Sequence, residues 1–479
     1  MNEKDKFTSP LTQRYSSREM SYIFSPENKY MIWRKLWIAL ASGEKECGLE
    51  ISSGQIKDME DNISNFDWDK ISEYEKETRH EVIAHIHGFG DFAKSAKPII
   101  HLGATSAFVM DNGNIVQYHQ ALLLIKKHLV NVINKLKNFA LDNKHIPCLG
   151  FTHFQPAQLT TVGKRACLWL QDLLLDYHDL EHRLKELPLR GVKGTTGTQA
   201  SFMKLFNGDE SKIDKLENIV TEKMGFPNAL PVTGQTYSRK IDYQILSILS
   251  GIAQSASKFA NDMRLLMHLK ELEEPFENKQ VGSSAMPYKR NPMRSERINS
   301  LSRYVINNAL NASHTQATQW LERTLDDSAI KRIAIEESFL ALDGILRLYD
   351  NIASGIVVYE KMIQKNLERE LPFMATEDIM MEAVKRGGSR QEIHEIIRQI
   401  SHKVTKSIKI DGKNNDLIKK IVNDIRIKLD ENIINDILKA ERFTGRASSQ
   451  VINFINKEID PIIKKEKKLI EDKISVIKV

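Results

Sequence analysis

Two long stretches in the middle of the chain carry an apolar residue at every third or fourth position. The first begins at Leu122 and ends at Phe139, and the second begins at Ile245 and ends at Leu266. This spacing places the apolar side chains along one side of a helix and is typical of bundles of nearly parallel helices. The second stretch belongs to a run of roughly 30 residues, which is about 45 Å of helix at 1.5 Å per residue. We therefore predict that unusually long helices form the middle of the protein.

Glycine and proline are scarce, with 23 and 13 of the 479 residues. Neither occurs in the block 293–343, which we interpret as one long helix or as two helices joined by a polar turn near Asp326 and Asp327. Because glycine and proline punctuate secondary structure, their scarcity argues against sandwiches and barrels with many tight turns. The predicted fold class is therefore all-α.

The helical patterns divide the chain into three parts. Two shorter patterns, 30–43 and 73–92, fall in the first part, and the last part has short amphipathic patterns with a break at Gly387 and Gly388. The predicted domains are an N-terminal helical domain (1–105), a central long-helix bundle (106–358) and a C-terminal helical domain (359–479).

Composition and charge exclude several classes of protein. No apolar run approaches the ~18 residues of a membrane span, and the N-terminus shows no apolar signal region. The net charge of +6 is mild, and Lys and Arg do not cluster with aromatic residues, so nucleic acid is not an expected partner. Three scattered cysteines form no disulfide or zinc pattern, which fits a reducing, cytoplasmic setting.

The most informative segment is 282–292, which reads G-S-S-A-M-P-Y-K-R-N-P. From composition alone it is a mobile, polar hinge loop. As a whole string, however, it resembles the G-S-S-x-M-P-x-K-x-N signature of the fumarase/aspartase/argininosuccinase superfamily. We interpret 275–292 as a candidate lid over an active site.

Other segments resemble one family of that superfamily, the adenylosuccinate lyases, in their longer, animal-type form. The resemblance runs from about residue 9 to about residue 447, which is nearly the whole chain. One departure is Glu81, where the family pattern has Asp. The matching segments are H-L-G-A-T-S (101–106), T-H-F-Q-P (152–156), R-H (79–80), T-T-G-T-Q (195–199), G-Q-T-Y-S-R-K (234–240) and E-R-T-L-D-D-S (322–328).

The resemblance implies a carbon–nitrogen lyase of purine synthesis. Its expected reaction is elimination of fumarate from adenylosuccinate, giving AMP, and from the succinylated aminoimidazole carboxamide ribonucleotide. It also implies a homotetramer whose long helices form a shared core, with each active site assembled from three subunits. No metal or other cofactor is expected, and His80, His85 and His87 lack the carboxylate or cysteine that would complete a metal site.

The resemblance also suggests catalytic roles. His153 is the expected general acid and Ser283 the expected general base. A serine is a plausible base only if loop amides and Lys289 stabilise its oxyanion in a closed, dry site. His80 is expected to bind substrate and orient charge, and Lys289 and Asn291 to meet the succinyl carboxylates.

The remaining expected substrate contacts fall into two groups. Guanidinium groups suit phosphate, so the nucleotide phosphate is expected at Arg14, Tyr15, Arg323, Ser328 and Arg332, with Arg297 as a further ligand. The succinyl and base moieties are expected at Thr105, Ser106 and Gln235, with Arg79, Glu81 and Thr152 as neighbouring substrate contacts.

Two alternatives stay open at this point. One is another fumarate-releasing lyase of the superfamily, such as argininosuccinate lyase, although that substrate gives no reason to keep the phosphate positions. The other is a non-catalytic helical scaffold, which has no need for His80, His153, Ser283 and Lys289 together.

Overall fold

A computed structural model of the chain describes residues 7–277 and 280–471. The first part is a set of short and medium helices around one long helix, α2. Its helices are α1 (Arg18–Ile23), α2 (Pro26–Glu46), α3 (Ser53–Asp61), α4 (Trp68–Thr78) and α5 (Glu81–Phe92).

The central part contains the longest helices, as the apolar spacing predicts. Its helices are α6 (Ser106–Asp142), α7 (Val162–Glu186), α8 (Ala200–Leu205), α9 (Glu210–Lys223), α10 (Lys240–His268), α11 (Met293–Ala317) and α12 (Asp327–Ala353). Both predicted apolar seams are buried, from Leu122 to Phe139 in α6 and from Ile245 to Leu266 in α10. Helix α10 packs against α7, α11 and α12, and α6 packs against α7 and α12.

The block 293–343 forms two helices rather than one. Helix α11 ends at Ala317, and α12 begins at Asp327 after a connection that contains Leu321 in the left-handed backbone region. Of the two alternatives left open by the sequence, the pair of helices is therefore the one observed.

Four short strands accompany the helices. They are β1 (Pro147–Thr152), β2 (Gln155–Thr161), β3 (Leu272–Glu273) and β4 (Val357–Val358). Strands β1 and β2 form an antiparallel hairpin, and β3 pairs antiparallel with β4. Most of the segment 147–161, which contains the T-H-F-Q-P motif, is therefore a hairpin.

The helical pattern at 73–92 is interrupted in the structure. Helix α4 ends at Thr78, Arg79 adopts a left-handed conformation with φ 53°, and His80 is the N-cap of α5. The apolar pattern alone did not predict this break, and it falls on two of the expected site residues.

The C-terminal part forms α13 to α19. These helices are α13 (Glu360–Met374), α14 (Thr376–Lys385), α15 (Arg390–Asp411), α16 (Leu417–Val422), α17 (Glu431–Ile437), α18 (Ala447–Phe454) and α19 (Asp460–Lys465). Helices α14 to α17 share a small apolar core of their own, whereas Val451, Ile455 and Ile459 pack into the main core. The last helices therefore return to the central bundle. The boundary at 358/359 remains a prediction.

Within the described residues, no helix is long and apolar enough to cross a membrane. The same residues contain no group of three or more His, Cys, Asp or Glu side chains arranged to hold a metal ion.

Candidate active site

His153 lies at the tip of the β1–β2 hairpin. Thr152 pairs with Gln155, so His153 and Phe154 are the two turn residues, with φ of 52° and 56°. Positive φ at both turn residues is the type I′ geometry that matches the twist of a hairpin. The turn leaves His153 exposed, so its imidazole is presented outward from the chain.

The signature loop forms a small pocket of amides around Ser283. The Ser283 Oγ accepts hydrogen bonds from the backbone amides of Met286 at 3.1 Å and Ala285 at 3.4 Å. Amide donors favour the charged form of an oxygen that accepts their hydrogen bonds. The two loop amides meet one of the conditions for a serine base, and the base role of Ser283 stays a prediction.

Two close approaches hold this loop together. The Asn291 side-chain amide donates to the Gly282 carbonyl at 2.8 Å. A side chain at Gly282 would collide with the Lys289 carbonyl, so only glycine fits there. Lys289 itself is exposed. Part of the predicted lid, residues 278–279, lies outside the described residues.

The signature loop contacts β3 and the residue that follows it, at the C-terminal end of α10. Arg290 forms an ion pair with Glu273 at 2.9 Å, and Glu274 accepts hydrogen bonds from the first amides of α11. The hairpin lies at the same end, because Arg165 donates to the Leu149 carbonyl at 2.5 Å and lies 3.9 Å from Glu271. We call this end of the bundle the loop end.

The opposite end of the bundle contains a narrow cleft, which we call the phosphate cleft after the ligand expected there from the sequence. Three of the expected phosphate ligands line it together: Arg323, Ser328 and Arg332. The Arg323 guanidinium donates to the Gln235 side-chain oxygen at 2.9 Å, so Gln235 orients one of these cations.

A buried ion network forms the floor of the cleft. Arg239 contacts Asp327 at 2.6 Å and Asp111 at 3.1 Å, and the amide of Tyr237 donates to Asp111 at 2.8 Å. Burial alone would raise the pKa of Asp111, but the charges of Arg239, Lys331 and Arg190 together outweigh burial and hold that pKa below its usual range. The network therefore fixes the start of α12, where Ser328 lies.

His80 stands beside the cleft with both ring nitrogens engaged. Its Nδ1 accepts a hydrogen bond from the Ile83 amide at 3.2 Å, and its Nε2 lies 3.3 Å from the Ser106 hydroxyl. Because Nδ1 accepts, the neutral ring carries its proton on Nε2, which donates to Ser106. Thr105 is the N-cap of α6, and Ser106, the first residue of that helix, lies beside His80.

Glu81 has protein partners in this chain. Its Oε1 accepts hydrogen bonds from the Lys29 ammonium at 2.7 Å and the Tyr30 hydroxyl at 2.8 Å, and its Oε2 lies 3.6 Å from Arg332. The residue that departs from the family pattern is therefore joined to the phosphate cleft.

The two ends of the bundle are far apart. Helix α10 has 29 residues, so its ends are separated by about 43 Å. Gln235 precedes its first residue, and the signature loop follows β3 at its other end. Within one chain, Ser283 and His153 therefore do not approach the phosphate cleft, and no hydrogen bond between described side chains joins Ser283 to His153.

Arg14, Tyr15 and Arg297 also lie outside the cleft within one chain. Tyr15 packs against Gly344 of α12, which is about 24 Å along the helix from Ser328 at 1.5 Å per residue. Arg297 lies in the first turns of α11, near the loop end.

The cleft also contains ionisable residues that the sequence did not single out as site residues, among them Lys29, Lys331 and Glu336. Ser328, Lys331, Arg332 and Glu336 share one face of α12, so spacing from Ser328 could have revealed Lys331 and Glu336. Burial raises the pKa of the Glu336 carboxyl to about 7, against the opposing charges of Lys29 and Arg332. Lys29 has no comparable signal in the sequence.

Comparison with solved structures supports the architecture. The crystal structure of 3-carboxy-cis,cis-muconate lactonizing enzyme from Pseudomonas putida matches 94% of this chain and 99% of its own, with a TM-score of 0.80 and 21% identity. The fumarate lyase from Mesorhizobium sp. BNC1 matches 93% and 99%, with a TM-score of 0.77 and 20% identity. At these identities, the similarity establishes the fold alone.

Sequence comparison is more specific. Residues 16–307 match the lyase family model, and residues 372–454 match the model of the adenylosuccinate lyase C-terminus. Adenylosuccinate lyase of Saccharomyces cerevisiae is 48% identical over 98% of both chains, and that of Schistosoma mansoni is 46% identical over 97% of both. The Pyrococcus abyssi enzyme is 30% identical over 93% of this chain and 97% of its own. The chain therefore belongs to the adenylosuccinate lyase family, carbon–nitrogen lyases of the fumarase/aspartase superfamily.

Proposed function

We propose that this enzyme eliminates fumarate from adenylosuccinate, giving AMP, and from the succinylated aminoimidazole carboxamide ribonucleotide, giving the free carboxamide nucleotide. The observation that carries the proposal is the Ser283 hydroxyl beneath two backbone amides in the signature loop. Such a group can remove a proton from carbon when the site is closed. The full-length relatives named adenylosuccinate lyase identify the substrate.

The elimination has two proton steps. Ser283, as its alkoxide, removes a proton from the succinyl carbon next to a carboxylate, and the resulting carbanion is stabilised by Lys289 and Asn291. The carbon–nitrogen bond then breaks, and its electron pair stays on nitrogen. His153 donates a proton to that nitrogen, and fumarate and the aminonucleotide leave. In this proposal, His80 and Ser106 together bind the succinyl group.

The phosphate cleft favours a nucleotide over argininosuccinate. Arg323 and Arg332 line it with two guanidinium groups, together with Ser328 in the first turn of α12. Guanidinium forks and a helix N-terminus both suit a phosphate dianion. An enzyme for argininosuccinate has no phosphate to place there.

We propose that the enzyme is a homotetramer with shared active sites. The base and acid lie at the loop end, about 43 Å from the cleft, so a single chain cannot place them on one substrate. The long helices also expose large apolar side chains that a partner subunit would cover: Leu123, Leu168, Leu175, Leu265 and Leu310. A monomeric mass in light scattering at micromolar concentration would contradict this assembly.

The proposed location is the cytoplasm, because Cys47, Cys148 and Cys167 are all free thiols. The proposed mechanism uses no metal or other cofactor. The boundaries 1–105, 106–358 and 359–479 are proposed as the three structural domains.

Ultraviolet absorbance tests the activity directly, because loss of the succinyl group changes the purine chromophore. Purified enzyme should convert both succinylated nucleotides and release fumarate in equal amount. An enzyme that leaves both nucleotides unchanged but cleaves argininosuccinate would place the chain elsewhere in the superfamily.

A further inference from the structure

The Glu81 carboxylate lies between two cations that line the phosphate cleft. One oxygen accepts hydrogen bonds from Lys29 at 2.7 Å and Tyr30 at 2.8 Å, and the other lies 3.6 Å from Arg332. These partners come from α2 and α12, and Glu81 itself is the first residue of α5. The half-buried carboxylate thus has cations on both oxygens: Oε1 accepts two hydrogen bonds, and Oε2 faces the Arg332 guanidinium.

We propose that Glu81 is a positioning residue: it holds Lys29 and Arg332 as a pair of cations that bind the nucleotide phosphate, and it does not contact the substrate. The inference rests on the proposed nucleotide substrate. It adds Lys29 to the phosphate ligands, and it gives Glu81 a different part from the direct substrate contact expected from the sequence.

Arg332 needs such a partner because its side chain is 55% exposed. Its ion pair with Glu81 is the one that it makes among residues 7–277 and 280–471. A long exposed side chain loses rotamer entropy when it is fixed on a ligand. A carboxylate that restricts the guanidinium beforehand reduces that cost at the moment of binding.

Lys29 is fixed from two sides. Its ammonium group is 2.7 Å from Glu81 and lies over the rings of Tyr30 and Trp33 at 5.0 and 5.1 Å from their centroids. These aromatic faces attract the cation without neutralising it. The ion pair and the two rings together set the position of the Lys29 ammonium group on the cleft wall.

The charge balance of the cleft leaves room for an anion. Burial alone would raise the pKa of Glu81, but the charge of Lys29 and the hydrogen bonds from Lys29 and Tyr30 outweigh burial and lower that pKa. Glu81 is therefore ionised at neutral pH and offsets one of the two cations. With Glu81 counted, five basic side chains among the described residues of the cleft stand against four carboxyls, so the site keeps a positive balance for a phosphate dianion. The basic residues are Lys29, Arg239, Arg323, Lys331 and Arg332, and the acidic residues are Glu81, Asp111, Asp327 and Glu336.

Compared with the Asp of the family pattern, the extra methylene of Glu81 lengthens the side chain enough to reach both partners. From the first residue of α5, the carboxylate reaches the start of α2 with one oxygen and α12 with the other. An aspartate at the same position keeps the charge but is shorter, so it cannot hold both partners at these distances.

The test compares Glu81→Gln, Glu81→Asp and Lys29→Met with the wild-type tetramer. Steady-state kinetics with adenylosuccinate are measured together with AMP and adenosine affinities by calorimetry. We expect each variant to raise KM and the Kd of AMP about tenfold, equivalent to ~1.4 kcal/mol. The expected kcat and adenosine affinity stay within a factor of about two, because the variants act on the phosphate alone.

Glu27→Gln is the matched control, because Glu27 is an exposed carboxylate of the same helix as Lys29 and lines no part of the cleft. It should leave all four constants unchanged. Melting temperature and light scattering establish that each variant remains a folded tetramer. If Glu81→Gln does not fold, Lys29→Met and Glu81→Asp carry the same test.

The proposal is overturned if Glu81→Gln lowers kcat while KM and the AMP affinity stay unchanged, since Glu81 would then act at the reacting end of the substrate. It is also overturned if neither Glu81→Gln nor Lys29→Met weakens AMP binding. AMP affinity is measured without turnover. An inactive wild-type protein would therefore defeat the proposed function, while the AMP affinities would still decide the part of Glu81.

Discussion

The backbone amide of Met286 donates a hydrogen bond to the Ser283 hydroxyl oxygen at 3.1 Å. A serine hydroxyl in water holds its proton far above neutral pH, so a serine base needs groups that stabilise its alkoxide. The amide of Met286 is such a group, and the Ala285 amide at 3.4 Å is a second. Both amides belong to the signature loop itself, so these donors stay with the serine in any movement of that loop.

Replacing Ser283 tests whether this hydroxyl is the base. We expect Ser283→Ala to lower kcat for adenylosuccinate by several orders of magnitude, with an unchanged melting temperature, because the half-exposed side chain supports no core. The absorbance assay measures the effect. Ser284→Ala is the control, since Ser284 is the exposed neighbour in the same loop. Near-normal turnover of Ser283→Ala would assign the base to another residue.

Mixing two inactive variants tests the shared active site. Ser283→Ala and His153→Ala should each be inactive as homotetramers. If base and acid come from different subunits, hybrid tetramers contain sites in which both are intact, about one site in four at equal mixing. Activity should therefore return when the two variants are unfolded, mixed and refolded together. Each variant refolded alone is the control. A mixture that stays inactive would place both residues in one subunit.

The helices of the bundle could be predicted because their evidence is local. The apolar seam from Leu122 to Phe139 appears in the sequence at helical spacing, and the same side chains are buried in the structure. The break between α4 and α5 could not be predicted in this way. It depends on a left-handed Arg79, and no glycine or proline marks the position.

Residues of the candidate site that belong to a sequence motif could be predicted. Residues whose position depends on contacts between distant parts of the chain could not. The signature string identified Ser283, but no spacing connects Glu81 with Arg332 or Arg239 with Asp111. Those pairs lie on helices that meet only in the folded bundle. The same limit applies to Lys29, whose position on the cleft wall depends on α2 packing beside α6.

The buried network under the cleft should make a large contribution to stability. Asp111→Asn removes one of the two charges that face Arg239, whose side chain is almost fully buried. Breaking one partner of a buried ion pair costs about 3–5 kcal/mol. We expect a clearly lower melting temperature at fixed protein concentration, with a raised KM because α12 begins at this network.

The exposed pair Glu395–Arg398 provides the control for Asp111→Asn. Surface ion pairs contribute about 0–1 kcal/mol, so Glu395→Gln should leave the melting temperature nearly unchanged. Equal effects of the two substitutions on the melting temperature would show that the Arg239 network contributes no more to stability than a surface ion pair.

Glu44 should make the stability of the enzyme fall as pH rises. Its carboxyl is fully buried in α2, and neither oxygen has a hydrogen-bond partner among the described residues. Burial raises its pKa to about 9 from the ordinary value of 4.5. In the folded state the group therefore stays protonated at neutral pH, whereas in the unfolded chain it ionises. Its favourable contribution is complete below pH 4.5 and is lost progressively as the pH rises toward 9.

Glu44→Gln removes this titration. The difference in unfolding free energy between the variant and the wild type should therefore change in favour of the variant as pH rises from 5 to 8, on the order of 1 kcal/mol per pH unit. Melting temperatures at fixed protein concentration across that range measure it. Glu46→Gln is the matched control, because Glu46 is two residues away and half-exposed beside Lys223. Parallel curves for Glu44→Gln and the wild type would mean that Glu44 is ionised in the folded enzyme.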